Sequence, residues 1–240
     1  TEPGSTRRTI LGESFPFLPQ AEPMYDLFNV PPQAFNKLFK VHRNIIYIDT
    51  EATYSESKVH ILKDVWATPQ VVIRIEAPNA DEARRMVEEN IPLIISALEK
   101  AERDRVISNA KAYENPQVRA AVHEMISGSP YFPKGYTLKK ADDNFLWIAC
   151  ETNFTIQGIL IWKYPYISSM QLTPVALAAM RDEVTKAQIP CTTENSYMIL
   201  NPVLEPDFRT LQYNKREFVE MRGLWEAYND FMGSPCVSHT

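Results

Sequence analysis

Ser127-Gly128-Ser129-Pro130 is the stretch on which the architecture turns. Small turn-formers followed by a proline end whatever precedes them, and the chain has a different texture on either side. Before it, apolar residues recur at helical spacing. Val118, Val122, Met125 and Ile126 follow Asn115-Pro116, and Ile91, Ile94, Ile95, Leu98 and Ala101 start a stripe that runs to about Ala112. After it come short runs bounded by turn residues, at 136–140, 145–150 and 156–164, with Asp142-Asp143-Asn144 as one turn; this spacing predicts an antiparallel meander. The fold class read from this contrast is α+β. Two mixed α/β halves, 1–128 and 129–240, are each a sheet covered by helices, and the second is β-rich and mainly antiparallel.

Further out in the first half, residues 5–13 are expected to form a short helix, 15–23 a proline-punctuated loop and 24–30 a strand. Pro31 opens a short helix, since a first-turn proline gives up only an amide that has no partner there, and Phe35, Leu38 and Phe39 lie on one face of it. Residues 44–49, Asn-Ile-Ile-Tyr-Ile-Asp, have the β-branched and aromatic run of a strand buried on both faces. Strands are also expected over 58–67 and 71–77, interrupted at Thr68-Pro69. Asn79 is a good N-cap for a helix whose first turn holds Asp81 and Glu82, and Asn90 with Pro92 marks a stop and restart, or a kink. In the second half, Thr173-Pro174 starts a helix that reaches about Gln188 and ends at Ile189-Pro190. Strands are expected over 197–203, 217–224 and 236–238.

A chain of 240 residues that is 45% hydrophobic can bury a sizeable core without metal or disulfide support. Its net charge of −5, with no Lys/Arg block, excludes the basic footprint that nucleic-acid binding requires. No apolar run approaches the roughly 20 residues of a membrane helix. Residues 1–8 are polar and lack the apolar stretch of a signal peptide, so the chain reads as soluble as given. Cys150, Cys191 and Cys236 have no zinc or C-x-x-C spacing and read as packed thiols; a Cys150–Cys191 disulfide is the alternative in an oxidising compartment.

Local catalytic signatures are missing. His42, His60, His123 and His239 show no metal-ligand spacing, and seven glycines include no phosphate-cradling loop, so neither a metal nor a cofactor is expected. Ser238-His239 suggests a hydrolase, but adjacent strand residues point to opposite faces. Glu76, Glu151, Glu194 and Glu205 remain open as carboxylates that the fold could pair. The candidate ligand-binding residues come from two segments of mixed polar and aromatic character: Trp162 and Tyr166 in Trp-Lys-Tyr-Pro-Tyr, and Arg222 with Trp225 farther on. An arginine beside aromatics can stack on a ligand or hydrogen-bond to it. Alternation also puts Arg222 on the face of Phe218, Glu220 and Leu224, where Glu220 is near enough to hold the guanidinium as an ion pair.

Several stretches, taken in order, carry a resemblance. They are Arg43-Asn44-Ile45-Ile46, Lys63-Asp64-Val65-Trp66-Ala67-Thr68-Pro69-Gln70, Tyr164-Pro165-Tyr166, Met221-Arg222-Gly223-Leu224-Trp225, Asp230-Phe231-Met232-Gly233-Ser234-Pro235 and Val237-Ser238-His239. Together they resemble an uncharacterised family of envelope lipoproteins from the Bacteroides group of bacteria. The resemblance implies export and an N-terminal lipid anchor that this stretch lacks, and it transfers no functional residue. Members of that family open with a lipidated cysteine and a hydrophobic strand, and they continue past the serine-histidine segment with a strand and a helix; against that pattern the stretch reads as truncated at both ends. The expectation is a non-enzymatic cell-envelope module that binds an envelope ligand or protein through its second half. A hydrolase of glycans or cell-wall material is the alternative.

Overall fold

The computed structural model describes residues 11–15, 17–18, 20–128 and 130–240. Over these residues it is an α+β protein with three small sheets and five helices, and each half has its own sheet and helices. The chain divides into two compact units. The first comprises residues 1–13, 23–141 and 146–159, and the second 14–22, 142–145 and 160–240.

In the first unit, β1 (Asn44–Thr50), β2 (Lys58–Lys63) and β3 (Val71–Ala77) form a sheet in the order β1-β3-β2. β1 runs parallel and β2 antiparallel to the central β3. Val71, Ile73 and Ile75 of β3 meet Val87 of α2 (Ala80–Glu89) and Ile91, Ile94 and Leu98 of α3 (Ile91–Ala112) in one core cluster. Ile73, Ile75 and Ile94 are fully buried, each worth on the order of 2 kcal/mol of apolar transfer. The two helices begin as the sequence predicts. Asn79 accepts the Glu82 amide at 2.9 Å, and the chain stops at Asn90 and restarts with Pro92 in the first turn. Helix α4 (Pro116–Ile126) buries Val118 and Val122. Ahead of β1 lies α1 (Lys37–Lys40), a single turn capped by the Asn36 side chain.

Four expectations for this unit need correction. Residues 24–30 form no strand: with Pro23 behind and two prolines ahead, they have no ladder to join. The helix foreseen from Pro31 is a 3-10 turn, Pro32–Ala34, then the separate turn α1. The strand buried on both faces is β3, not β1, because β1 lies on the edge of the sheet and only Ile45 in it is buried. β2 stops at Lys63, where Asp64 takes a left-handed conformation (φ 53°) and starts a loop to Gln70. The helix expected over 5–13 lies largely outside the described residues.

β4 (Tyr136–Asp142), β5 (Phe145–Glu151) and β6 (Ile156–Trp162) form a second sheet in sequence order, with Ile148 and Ala149 fully buried on β5. The third sheet belongs to the second unit and is built on one long strand, β9 (Arg216–Tyr228). β10 (Gly233–His239) pairs with one edge of β9; β8 (Asp207–Tyr213) and β7 (Tyr197–Leu200) pair with the other, all antiparallel. Helix α5 (Pro174–Gln188), capped by Thr173, covers the face that carries Met221, Ala227 and Cys236. It is pinned there by polar contacts: Thr185 Oγ1 donates to the Met198 carbonyl at 2.9 Å, and Asp182 accepts the Leu200 amide at 2.8 Å. β8 went unforeseen, whereas β9 and β10 are longer than their apolar patterns suggest. All three cysteines are free.

Candidate functional site

The face of the β7–β10 sheet opposite α5 carries a row of charges. Tyr213 and Arg216 flank Asn214 (φ 50°) and Lys215 (φ 63°), the two left-handed positions of a tight hairpin turn. That turn sets the register between β8 and β9, so Arg209 stands directly opposite Glu220. On the other edge, the β9–β10 register puts His239 opposite the same Glu220. Arg222, two residues along β9, shares the face by strand alternation.

These side chains converge on the glutamate. Arg209 Nε and Arg222 Nε each donate to Glu220 Oε1 at 2.6 Å, and His239 Nε2 lies 2.9 Å from Oε2. Glu220 is buried, while Arg209 and His239 are about half exposed and Arg222 is 28% exposed. Burial alone would raise the Glu220 carboxyl, but hydrogen bonds from Arg222, Arg209 and His239 outweigh it and bring the pKa down to about 2. An ionised carboxylate only accepts hydrogen bonds, so His239 Nε2 carries its proton and Nδ1 is left for another partner.

One carboxylate therefore faces two guanidinium groups and an imidazole. Asp207, in register with Arg222 on the same face, balances the formal charge, but the row keeps N–H donors on its exposed side, which suits it to receive a carboxylate or phosphate. It is poorly arranged for acid catalysis, because a carboxyl near pKa 2 cannot supply a proton at neutral pH. Ser238 registers with Met221 on the opposite face, as alternation requires, so Ser238 and His239 do not form a nucleophile–base pair.

The four residues singled out in the sequence fall in different places. Arg222 is in the row, and its expected contact with Glu220 is present. Trp225 is three residues along the same strand and therefore on the α5 side, where Arg222 cannot share a ligand face with it. Trp162 ends β6 partly buried, and its indole N–H is buried without an acceptor among the described residues. Tyr166 is 67% exposed in the segment beyond β6. Tyr164, between these two, shares a side-chain hydrogen bond with Thr240, the residue after His239, which ties the Trp-Lys-Tyr-Pro-Tyr segment to the end of β10.

Sequence reasoning missed Arg209 and set His239 aside because it has no metal-ligand spacing. The missing signal was the Asn214-Lys215 turn: once a two-residue hairpin is drawn there, counting outward brings Arg209 opposite Glu220. In the first unit, Glu76 does meet a second carboxylate. Asp49 is its register partner, and both salt-bridge to Arg74, at 3.1 and 2.7 Å. His60 approaches Glu76 at 3.3 Å. Among the described residues, no group of three or more His, Cys, Asp or Glu side chains is placed to hold a metal ion, and no helix is long and apolar enough to cross a membrane.

Compared with known families, residues 115–240 match the model described as domain of unknown function DUF4837, and residues 2–111 match domain of unknown function DUF8532. No curated protein and no solved structure matches the chain.

Proposed function

The chain belongs to the family described as domain of unknown function DUF4837, and for this member we propose a non-enzymatic ligand-binding module of the cell envelope that holds an anionic group against Arg209, Arg222 and His239. The observation that carries the proposal is the excess of fixed, exposed donors over the single buried carboxylate that orients them. Glu220 does for these cations what a supporting carboxylate does in any preorganised anion site: it sets their geometry before the ligand arrives, which lowers the ordering cost of binding. The envelope location, and attachment to a membrane through a lipidated N-terminus, are part of the same proposal and rest on the sequence resemblance.

Calorimetric titration with pyrophosphate and with citrate at low ionic strength tests the site. Binding should be saturable, weaken with added salt, and fall about tenfold or more in Arg209→Ala, whose half-exposed side chain is not needed for the core. Equal affinity in the wild type and this variant would overturn the proposal. So would binding of neither anion.

A further inference from the structure

The first unit contains a groove that has no part in the row on β8, β9 and β10. One wall is α3 from Ala101 to Asn109; the other is formed by Arg43 and the loop that follows β2, and the groove encloses about 720 Å³. That volume lies within the range of small-molecule sites, roughly 300–1,000 Å³. We propose that the groove binds a small amphipathic anion, a carboxylate or phosphate carrying a short apolar chain.

The apolar part of such a ligand has a surface to meet. Val71 and Ala101 lie at the groove alongside Pro69, Val106 and Pro133. The loop wall is held in place rather than free. Gln70 is 3% exposed and donates through Nε2 to the carbonyls of Lys40 and His42 at 2.7 and 2.8 Å, while its Oε1 accepts the Trp66 amide at 2.9 Å. Trp66 in turn packs its ring against Phe35 and Tyr47.

The sign of the head group follows from which charges are already engaged. Glu102 accepts from Arg105 and Asn44, Asp64 accepts the Gln70 amide at 2.8 Å, and Asp104 is held by Lys100 at 2.9 Å. Each carboxylate that lines the groove thus has a donor within the protein. The cations are less committed. Arg43 reaches Glu102 only at 3.9 Å, and the Lys63 ammonium makes no hydrogen bond to another described residue and acts on Asp104 through space. Arg105, with only 9% of its side chain exposed, is fixed through Nε and Nη2 by Glu102 and Asn44. Its Nη1 remains for a ligand beside Arg43 and Lys63. Uncommitted donors over an apolar floor select an anion with an apolar body.

Titration calorimetry of the full chain with octanoate and with octyl phosphate tests the proposal, with 1-octanol as the neutral control. One equivalent of at least one anion should bind in the groove, and the tighter of the two identifies the head group. The Arg43→Ala/Lys63→Ala double variant should lose about tenfold or more in affinity, and Ser108→Trp, which fills the groove from an exposed helix position, should abolish binding. In the Arg209→Ala background, where the charged row on the β9 sheet is weakened, the groove's one equivalent should persist, which separates the two sites. The proposal is overturned if neither anion binds, if octanol binds as tightly as octanoate, or if both groove variants bind as the wild type does. A circular dichroism melt of each variant confirms that it is folded.

Discussion

Arg209 on β8 and His239 on β10 face each other across Glu220, one bonded to Oε1 and the other to Oε2 of the same buried carboxylate. Three strands are thereby tied together at one side chain, and the charge on that side chain becomes a term in the stability of the sheet.

That term depends on pH with a definite sign. The Glu220 pKa is about 2 in the folded chain, against 4.5 for the free side chain, so ionisation favours the folded state. The contribution is complete above pH 4.5 and is lost as pH falls through the window from 4.5 to 2. Its size is at most about 3 kcal/mol, because two of the three partners are solvent-screened. Urea unfolding of the wild type and Glu220→Gln should differ most at pH 7 and converge near pH 2; a constant difference across that range would refute the linkage. Arg222→Ala, which leaves Arg209 and His239 in place, should cost roughly 2 kcal/mol at pH 7.

Lys215 occupies the second left-handed position of the β8–β9 hairpin, at φ 63°. A side chain with a Cβ carries a steric cost there that glycine does not. Lys215→Gly should therefore stabilise the protein by about 0.5–1 kcal/mol. A fall in the unfolding midpoint would show that the lysine contributes more than the backbone strain costs.

At the start of β10 the constraint is reversed. A Cβ placed on Gly233 would come 2.9 Å from the backbone oxygen of Trp225, closer than real contacts allow. Relief would require the β9–β10 ladder to move where Gly233 pairs with Glu226. Gly233→Ala is expected to cost about 1–3 kcal/mol, as measured by chemical denaturation. An unchanged midpoint would mean that the ladder yields easily at this end.

The division of the chain at 128/129 is open to limited proteolysis. The Gly/Ser/Pro composition there invites cleavage, but Phe132 is buried and the 132–134 backbone is hydrogen-bonded to Tyr113 and Asn115. Nicking should therefore be confined to 127–130. Cuts only near the chain ends would argue against a boundary at this place.

What the sequence revealed, and what it concealed, follows from the range of the forces. Caps and proline starts act within one turn, so Asn79, Asn90-Pro92, Pro116 and Thr173-Pro174 all marked helix ends correctly. Strand identity in β8 depends on pairing instead. Asp207-Phe208-Arg209-Thr210-Leu211 alternates too weakly to announce itself, and only the partner strand makes it a strand. The charged row was half legible for the same reason: Glu220 and Arg222 are neighbours in sequence, but Arg209 and His239 reach them across 11 and 19 residues. Trp225 misled because closeness along a strand says nothing about the face a residue occupies.

β7 and β8 run in the same direction along one edge of β9. Leu200 pairs with Trp225 and Asp207 with Arg222, so only Leu224 and Gly223 separate the two pairings on β9, while residues 201–206 do so on the other side. The two elements are in effect one strand with a detour, begun at Asn201, whose amide donates to the Leu224 carbonyl and whose Oδ1 accepts the amides of Val203 and Leu204. Pairing on either side is fixed without reference to the length of that detour. It is therefore the position in this sheet where natural variants could gain or lose residues, or where an epitope could be grafted, without shifting the register that brings Arg209 to Glu220.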